Sequence, residues 1–322
     1  MCLFHDWESF FSPNPKPNSY ISKNSQLEAK DFDYHVSKCI FNEIKNGSIR
    51  ITTTIDSIKL LVDTTSFTNC SISNANGGCL YYSSAGQCIQ DRITSYNSKI
   101  SKMDIGMHSY VIVSPNAPNN NSLFDSAVSK SGGDAFQGTR NIYSENGKIT
   151  LQRVNISDTK NYGGCIFCFS NYLSNSIVKS SLFASNKDAS KDDYAPIACF
   201  DSPFEFEIIS TIFLNNSDEK YLIYARNSSF LFNYCCFINN SLPKYFFFCL
   251  TENDKIHIRK CYISTENPIN INNVIITDRI EMHSNKLSCN FEMKTYLVIF
   301  RNTLHFDLLI ITINIIFISD LL

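Results

Sequence analysis

The sequence is poor in the features that mark nucleic-acid-binding and membrane-surface proteins. Only 18% of its 322 residues are charged, and 28 basic side chains against 30 acidic ones give a formal net charge of −2. Binding to nucleic acid or to an anionic membrane surface requires concentrated positive charge. No nucleic-acid partner is therefore predicted. Glycine is also scarce, with 11 residues, and tryptophan occurs once.

The chain also lacks a sustained helical period with an N-cap before it. Its abundant residues are 25 Phe, 16 Tyr and 13 Cys, in a background rich in Asn, Ser and Ile. Aromatic and β-branched side chains favour strands, whereas Asn and Ser favour turns. Short apolar runs that stop at Asn, Ser or Asp recur at Lys148–Ser157, Glu205–Asn216, Ser229–Asn240 and Lys255–Ser264. These runs predict an all-β protein.

The apolar runs repeat with a period. Taking one apolar residue near the end of each run as an anchor gives Phe41, Phe67, Ile93, Leu123, Val154, Phe183, Phe213, Phe237, Tyr262 and Phe291. The successive differences are 26, 26, 30, 31, 29, 30, 24, 25 and 29 residues. Ile93, Leu123 and Phe291 serve as anchors partly because the period requires one near each of these positions. A unit of this length with no helix cannot bury its apolar face alone, so it must stack on its neighbours.

The expected fold is a single-stranded right-handed parallel β-helix of about ten coils, spaced by roughly 4.8 Å. Like residues should lie above like, with Phe183, Phe213 and Phe237 stacked inside. The pairs Asn215-Asn216 and Asn239-Asn240 should recur at turns, because Asn tolerates the left-handed backbone region and can form side-chain ladders. Leucine-rich repeats have a similar period, but their Leu and Asn spacing is missing and Phe and Ile replace Leu.

Glycine pairs predict the same register. Gly77-Gly78, Gly132-Gly133 and Gly163-Gly164 begin 10, 9 and 9 residues after their anchors. In two cases Cys and a new apolar strand follow, in Phe67–Tyr82 (FTNCSISNANGGCLYY) and Val154–Phe169 (VNISDTKNYGGCIFCF). This pattern resembles the right-handed β-helix repeat proteins related to polymorphic outer-membrane proteins, which form surface-protein families in parasitic protists. The resemblance covers about two thirds of the chain. It implies a surface or adhesive role and supplies no catalytic residues.

The cysteines are expected to fill space inside the coil as small apolar side chains. Cys79 and Cys165 take the same place in their repeats, while Cys39, Cys236 and Cys261 sit beside anchors. An odd total of 13 excludes complete pairing within one chain. The pair Cys165 and Cys168 has no second pair with it, so no metal site and no cofactor is predicted.

The termini and the glycosylation sequons bear on localisation. Seven N-x-[ST] sequons start at Asn46, Asn69, Asn120, Asn155, Asn215, Asn227 and Asn239, and many would arise by chance in a chain rich in Asn and Ser. The first residues lack the basic and apolar regions of a signal peptide. Leu308–Ser319 is apolar but shorter than the roughly 20 residues that span a bilayer. It is expected to form a last strand pair or a truncated membrane anchor.

Enzyme motifs are scarce. The only adjacent acidic pair is Asp192-Asp193, in a lysine-flanked loop, and Ser176 with Lys179 matches S-x-x-K without its companion motifs. Gly147-Lys148 lacks the other residues of a phosphate-binding loop. No catalytic, cofactor-binding or metal residue is therefore proposed from the sequence, and the chain is expected not to be an enzyme.

Three functions remain, because fold does not fix function. The first is a cell-surface or secreted binding or adhesion solenoid with unknown protein or glycan ligands. The second is a truncated, non-functional member of such a family. The third is a carbohydrate-active, pectin-lyase-like enzyme, which requires at least two carboxylates converging on one groove. The expected organisation is a cap or tail at 1–35, the β-helix at 36–300 and the apolar segment at 301–322.

Overall fold

The computed structural model describes most of the chain between residues 6 and 278. The described residues are 6–11, 16–29, 32–53, 58–101, 104–115, 119–132, 138–161, 166–188, 197–218, 220–241, 245–264, 270–271 and 273–278. Of residues 197–200, 270 and 271, only the backbone is described. The predicted anchor Phe291 and the segment Leu308–Ser319 lie outside these residues.

The described chain consists of short strands and one short helix, α1 (Trp7–Phe10). In chain order the strands are β1 (Asn18–Ile21), β2 (Leu27–Ala29), β3 (Tyr34–Ser37), β4 (Ile40–Asn42), β5 (Ile49–Thr52), β6 (Lys59–Asp63), β7 (Ser66–Thr68), β8 (Ser71–Ile72), β9 (Leu80–Ser83), β10 (Gln87–Asp91), β11 (Thr94–Tyr96), β12 (Lys99–Ile100), β13 (Ser109–Ile112), β14 (Asn120–Phe124), β15 (Ala127–Ser129), β16 (Ile142–Glu145), β17 (Lys148–Gln152), β18 (Asn155–Ser157), β19 (Lys160–Asn161), β20 (Phe167–Ser170), β21 (Ile177–Lys179), β22 (Leu182–Ala184), β23 (Lys187–Asp188), β24 (Ile197–Phe200), β25 (Glu205–Ile209), β26 (Ile212–Leu214), β27 (Tyr221–Arg226), β28 (Ser229–Asn233), β29 (Cys236–Ile238), β30 (Tyr245–Cys249), β31 (Lys255–Arg259), β32 (Tyr262–Ile263), β33 (Asn270–Ile271) and β34 (Val274–Thr277).

Three long parallel sheets contain most of these strands. Sheet 1 has 11 strands in the order β1-β3-β6-β10-β14-β17-β21-β25-β28-β31-β34. Sheet 2 has nine, β4-β7-β11-β15-β18-β22-β26-β29-β32, and sheet 3 has ten, β2-β5-β9-β13-β16-β20-β24-β27-β30-β33. From β3 onward the chain visits sheets 1, 2 and 3 in turn and then starts the next coil. The predicted parallel β-helix solenoid is confirmed, whereas its right-handedness stays a prediction.

The inner residues of neighbouring strands form columns, as predicted. The middle residues of sheet 2 give one such column: Phe41, Phe67, Ser95, Val128, Ile156, Phe183, Phe213, Phe237 and Ile263. The Phe213 ring stacks on Phe183 at 5.4 Å and on Phe237 at 4.8 Å between ring centroids. All three side chains are fully buried, which confirms the predicted phenylalanine stack.

Several predicted anchors miss this column. Ile93 and Val154 lie two residues early, Tyr262 lies one residue early, and Leu123 belongs to β14 of sheet 1. For Ile93 the reason is that the column is polar at this coil, where its member is Ser95, whose Oγ lies 2.6 Å from Ser98 Oγ. At the other three coils the column residue is apolar, Val128, Ile156 or Ile263, and the predicted anchor is a nearby apolar residue with a similar spacing.

The turns between sheets use left-handed residues. The corner between sheets 2 and 3 holds Glu43, Asn69, Asn97, Lys130, Asp158, Ser185, Asn215 and Asn239, all with φ between 49° and 58°. Five of the eight are Asn or Asp, which adopt this conformation more easily than other non-glycine residues, whereas Glu43, Lys130 and Ser185 do not. Each is held there because its N–H donates a hydrogen bond to the following coil. The acceptor is a backbone carbonyl for seven of them, as for Asn215 N to Ile238 O at 2.9 Å, and it is Ser264 Oγ for Asn239. Stacking thus offsets the local strain.

The residue after this corner points inward and forms the predicted asparagine ladder. Asn186 Nδ2 donates to Asn216 Oδ1, and Asn216 Nδ2 donates to Asn240 Oδ1, each at 3.0 Å. Asn216 Nδ2 also donates to Phe183 O at 2.8 Å. The Asn186 and Asn216 side chains are fully buried. Because every amide has a partner, the ladder stabilises the register at little desolvation cost.

The register predicted from the glycine pairs is wrong in part. Gly77 has φ +76° and immediately precedes sheet 3, where an added Cβ would lie 2.6 Å from Leu80 O. Gly132 instead donates to Ser98 O at 2.8 Å, so it aligns with Lys99 at the start of the short strand after sheet 2. The two glycines therefore have different structural roles. Gly133, Gly163 and Gly164 lie outside the described residues.

Candidate functional site

The outer face of sheet 3 carries a row of stacked tyrosines. Tyr81, Tyr110 and Tyr143 are register partners on β9, β13 and β16 and point away from the coil interior. The Tyr81 and Tyr110 ring centroids lie 5.3 Å apart with 4° between planes, and those of Tyr110 and Tyr143 lie 4.9 Å apart with 17°. We call these three residues the tyrosine row. Parallel stacking in register fixes both their spacing and their orientation.

Arginines lie on the outer rings of the tyrosine row. The Arg50 guanidinium carbon is 4.5 Å from the Tyr81 ring centroid, and that of Arg140 is 5.0 Å from Tyr143. Such cation–π contacts are stabilising where the cation is partly desolvated. The Tyr143 hydroxyl donates to Glu145 Oε2 at 2.8 Å. Tyr81 and Tyr110 are partly exposed, whereas Tyr143 is buried, so the row presents two partly exposed rings, with a guanidinium near each end of the row and one carboxylate beside Tyr143.

Burial keeps two tyrosines of the row, Tyr110 and Tyr143, neutral. It raises the pKa of Tyr110, with the Glu145 carboxylate adding to the effect. It also raises the pKa of Tyr143, and the hydrogen bond that this phenol donates to Glu145 adds to the effect. Burial lowers the pKa of the Arg50 guanidinium from a value far above neutrality. At physiological pH both phenols are therefore protonated, and that of Tyr143 already donates to Glu145.

Two carboxylates lie side by side on the outer face of sheet 1. Asp63 on β6 and Asp91 on β10 are register partners. His35 Nε2 lies 2.5 Å from Asp63 Oδ2. Arg92 Nε lies 3.1 Å from Asp91 Oδ2, and Arg92 NH2 lies 3.4 Å from Asp63 Oδ1. We call Asp63 and Asp91 the carboxylate pair, and His35 and Arg92 are its partners.

The N-terminal segment shields this part of sheet 1 from solvent. Asp6 caps α1 through a reciprocal capping box with Ser9. Trp7 and Phe11 then pack on the outward side chains of Leu61 and Ile89. As a result the exposed fraction is 5% for Asp63 and 0% for Asp91.

Neighbouring groups stabilise the ionised form of Asp63. Burial opposes ionisation, but hydrogen bonds to His35, Thr64 and Ser37 outweigh it, so the pKa of Asp63 lies below its usual value. A paired, hydrogen-bonded carboxylate of this kind is also common in structural ion-pair networks.

Neither the tyrosine row nor the carboxylate pair was predicted, because motifs of neighbouring residues in the sequence do not include them. His35, Asp63 and Asp91 are 28 residues apart in succession, and the tyrosines of the row are 29 and 33 apart. In a solenoid, one repeat length brings side chains together. Both features could therefore have been predicted from polar or aromatic residues that recur at one repeat length.

Of the residues considered for chemistry in the sequence, the structure describes Ser176, Lys179 and Cys168. Ser176 is buried, and its Oγ donates to Leu173 O at 2.7 Å and accepts from Ile149 N at 3.0 Å. Lys179 is exposed on β21. Cys168 is buried, whereas Cys165 and the pair Asp192-Asp193 lie outside the described residues. Within the described residues, no group of three or more metal-ligating side chains comes together.

The cysteine alignment needs correction. Leu80 aligns through Ser109 and Ile142 with Phe167, so the residue equivalent to Cys79 is Ile166. Cys39 and Cys261 do lie in one buried column beside sheet 2, and Cys235 belongs to the same column.

Cys236 does not belong to that column. It is the register partner of Ile212 on the outer face of sheet 2, and it is disulfide-bonded. The reason for the wrong assignment is that Cys235 and Cys236 are adjacent, so a shift of one residue moves a side chain from the inside to the outside of the coil.

Three sequons share one structural origin. Asn69, Asn215 and Asn239 all occupy the exposed left-handed corner after sheet 2. The next residue points inward, and the serine after it begins the following short segment. The motif thus matches the turn chemistry of the coil, and glycosylation is not required to explain it.

Comparisons with protein-family models, curated proteins and solved structures find no match. In the part of the chain that the structure describes, no helix has the length and hydrophobicity to cross a bilayer.

Proposed function

We propose that this protein is a non-enzymatic cell-surface or secreted binding solenoid and that the tyrosine row is its recognition surface. The observation that carries the proposal is a rigid aromatic row with an arginine at each end on an outer sheet face. Tyrosine and arginine are enriched in the energetically dominant centres of protein interfaces. Because the three rings already hold one another in place, little side-chain entropy would be lost on binding.

The geometry favours a protein ligand over a sugar. Both faces of the Tyr110 ring lie against neighbouring rings, so they are not free to stack on a pyranose. The ring edges of the partly exposed Tyr81 and Tyr110, with the Arg50 guanidinium over Tyr81, are the groups that a ligand would contact. These groups suit a protein surface that offers carbonyl and carboxylate acceptors.

The test combines localisation with binding. Surface biotinylation of cells that express the full-length product should label it, and exclusively cytosolic recovery would exclude the surface role. The purified full chain is then applied to arrays of extracellular-matrix proteins and of glycans. Tyr110→Ala should weaken protein binding by about tenfold or more, as expected for a central aromatic contact. Tyr234→Ala, an exposed tyrosine elsewhere on the rod, is the matched control. Equal losses in both variants would contradict the assignment.

A carbohydrate-active enzyme is the second candidate, favoured by the carboxylate pair on sheet 1. Pairs of carboxylates can act as general acid and base on glycosidic bonds. Against this role, both carboxylates are nearly inaccessible under the N-terminal segment. Incubation of the full chain with polygalacturonate, followed by measurement of new reducing ends and unsaturated products, tests it. Activity lost in Asp63→Asn and kept in Asp158→Asn would support the enzyme, and inactivity of the parent chain would remove it.

A further inference from the structure

The interior of the coil contains a seam of polar residues between the end of sheet 2 and the start of sheet 3. Ser98, Ser131 and Thr159 stack in one column, linked by Gly132 N to Ser98 O at 2.8 Å and Lys160 N to Ser131 O at 2.9 Å. Cys79, His108 and Asn141 stack in the facing column, linked by Cys79 N to His108 O at 3.2 Å and His108 N to Asn141 O at 3.0 Å. We call these six residues the polar seam. Every one is 0% exposed.

The two columns contact each other directly at both ends of the seam. Cys79 Sγ lies 2.9 Å from Ser98 Oγ in the following coil. Asn141 Nδ2 donates to Thr159 Oγ1 at 3.3 Å, again in the following coil. With the same offset of one coil between the two columns, His108 should face Ser131. Instead, His108 Nδ1, Ser131 Oγ and Asn141 Oδ1 have no hydrogen-bond partner among the described groups.

The hydrogen-bonding roles of these three atoms are complementary to those of water. His108 Nε2 lies 3.1 Å from Gln90 Oε1, and since that oxygen can only accept, Nε2 carries the proton and Nδ1 is an acceptor. Burial lowers the pKa of His108 to about 3, so the ring stays neutral. Asn141 Oδ1 is a second acceptor, and the Ser131 hydroxyl can donate.

We infer that the polar seam holds an internal water molecule that donates to His108 Nδ1 and Asn141 Oδ1 and accepts from the Ser131 hydroxyl. Buried waters in proteins commonly make about three hydrogen bonds to otherwise unsatisfied polar groups. One molecule would satisfy all three atoms. A cation fits less well, because the seam has no carboxylate to balance its charge.

The first test is direct observation in the wild-type full chain. A crystal structure that resolves ordered water should place density within hydrogen-bond distance of His108 Nδ1 and Ser131 Oγ. Water-to-amide magnetization transfer should reach the amides of His108 and Asn141. A direct hydrogen bond between the imidazole and the Ser131 hydroxyl, or a gap without density, would overturn the inference. Elemental analysis showing a stoichiometric metal would do the same.

The second test replaces the water. Two positions further along the Ser131 column stands Asn186, whose amide nitrogen reaches its partners directly. Ser131→Asn should place an amide donor near His108 and abolish the water signal, while Ser131→Ala should keep a water with fewer bonds and lower the unfolding midpoint. Ser126→Ala is the matched control, since its hydroxyl has only protein partners, Phe124 O and Ile93 N. An unchanged water signal in Ser131→Asn would contradict the site; if that variant does not fold, the wild-type measurements decide.

Discussion

The two halves of the solenoid share a backbone plan but differ in their interiors. Between residues 79 and 159 the coil encloses the polar seam together with buried Gln90, Ser95 and Asn121. Between residues 167 and 247 it encloses phenylalanines, with Phe167, Phe169, Phe183, Phe206, Phe213, Phe230, Phe232, Phe237 and Phe247 at 0% exposure. Both halves keep the same parallel pairing and left-handed corners. The backbone hydrogen bonds therefore define the coil, and the interior chemistry can vary if each polar group finds a partner.

The largest expected effect is in the aromatic half. Phe213→Ala removes a ring stacked on both sides, and the free energy of unfolding should fall by about 3–5 kcal/mol. Chemical denaturation followed by far-UV circular dichroism measures it. Tyr234→Ala, at an exposed corner, should change stability by less than about 0.5 kcal/mol. A loss at Phe213 no larger than at Tyr234 would show that the stack is not a core.

The second prediction is that stability depends on pH through His108, which lies in the half that contains the polar seam. Unfolded His108 takes up a proton as pH falls through 6.5, while the folded side chain stays neutral until about pH 3. The unfolded state therefore binds more protons in this window, so the stability due to neutral His108 is complete above pH 6.5 and is lost towards pH 3. The loss at pH 4 should be on the order of 3 kcal/mol.

The control for this pH effect is His108→Gln, which keeps a polar side chain without a titrating proton. The pH dependence of stability between 6.5 and 4 should be flatter in the variant than in the parent chain. The pKa of Asp63 is lowered from 3.8, so its own contribution disappears only below that pH. Identical slopes in parent and variant would show that His108 is accessible to protons in the folded state.

A smaller effect is expected at the asparagine ladder. Asn216→Ala removes the acceptor for Asn186 Nδ2 and the donor for Asn240 Oδ1. Because buried partners are left unsatisfied, the cost should be about 1–3 kcal/mol. Asn215→Gly, at the adjacent left-handed corner, should be within about 0.5 kcal/mol of the parent. Comparison of the two unfolding midpoints checks the ladder, and equal midpoints would argue against it.

The smallest expected effect on global stability concerns the N-terminal segment. Trp7 is the only tryptophan, so its fluorescence reports contact with sheet 1. Asp6→Ala removes the capping box of α1, which should cost about 1 kcal/mol. It should loosen Trp7 from sheet 1 and shift the emission to longer wavelength, with little change in far-UV circular dichroism. Thr150→Asp, on sheet 1 away from the segment, should leave the emission unchanged. Emission unaffected by Asp6→Ala would mean that the cap of α1 does not hold Trp7 on this sheet.

The sequence was sufficient to predict what depends on the repeat alone. Period, parallel stacking, the Phe183-Phe213-Phe237 stack and the asparagine ladder all follow from like residues at one repeat length. The anchor prediction failed at Ser95, where the column is polar, and at Val128, Ile156 and Ile263, where a second apolar residue lies within a few positions of the column residue. It could not place Trp7 on Leu61, because the outer face of a strand gives no signal of what will cover it.

The most direct measurement of the central claim is a set of distances along one corner of the rod. Nitroxide labels attached through cysteine substitutions at the exposed positions Glu43, Asn69, Asn215 and Asn239, in pairs, can be measured by pulsed electron paramagnetic resonance. Stacking at roughly 4.8 Å per coil predicts about 24 Å between positions 69 and 215, about 29 Å between 69 and 239, and about 34 Å between 43 and 239. Separations that do not increase in proportion to the number of coils between the labels would contradict the solenoid.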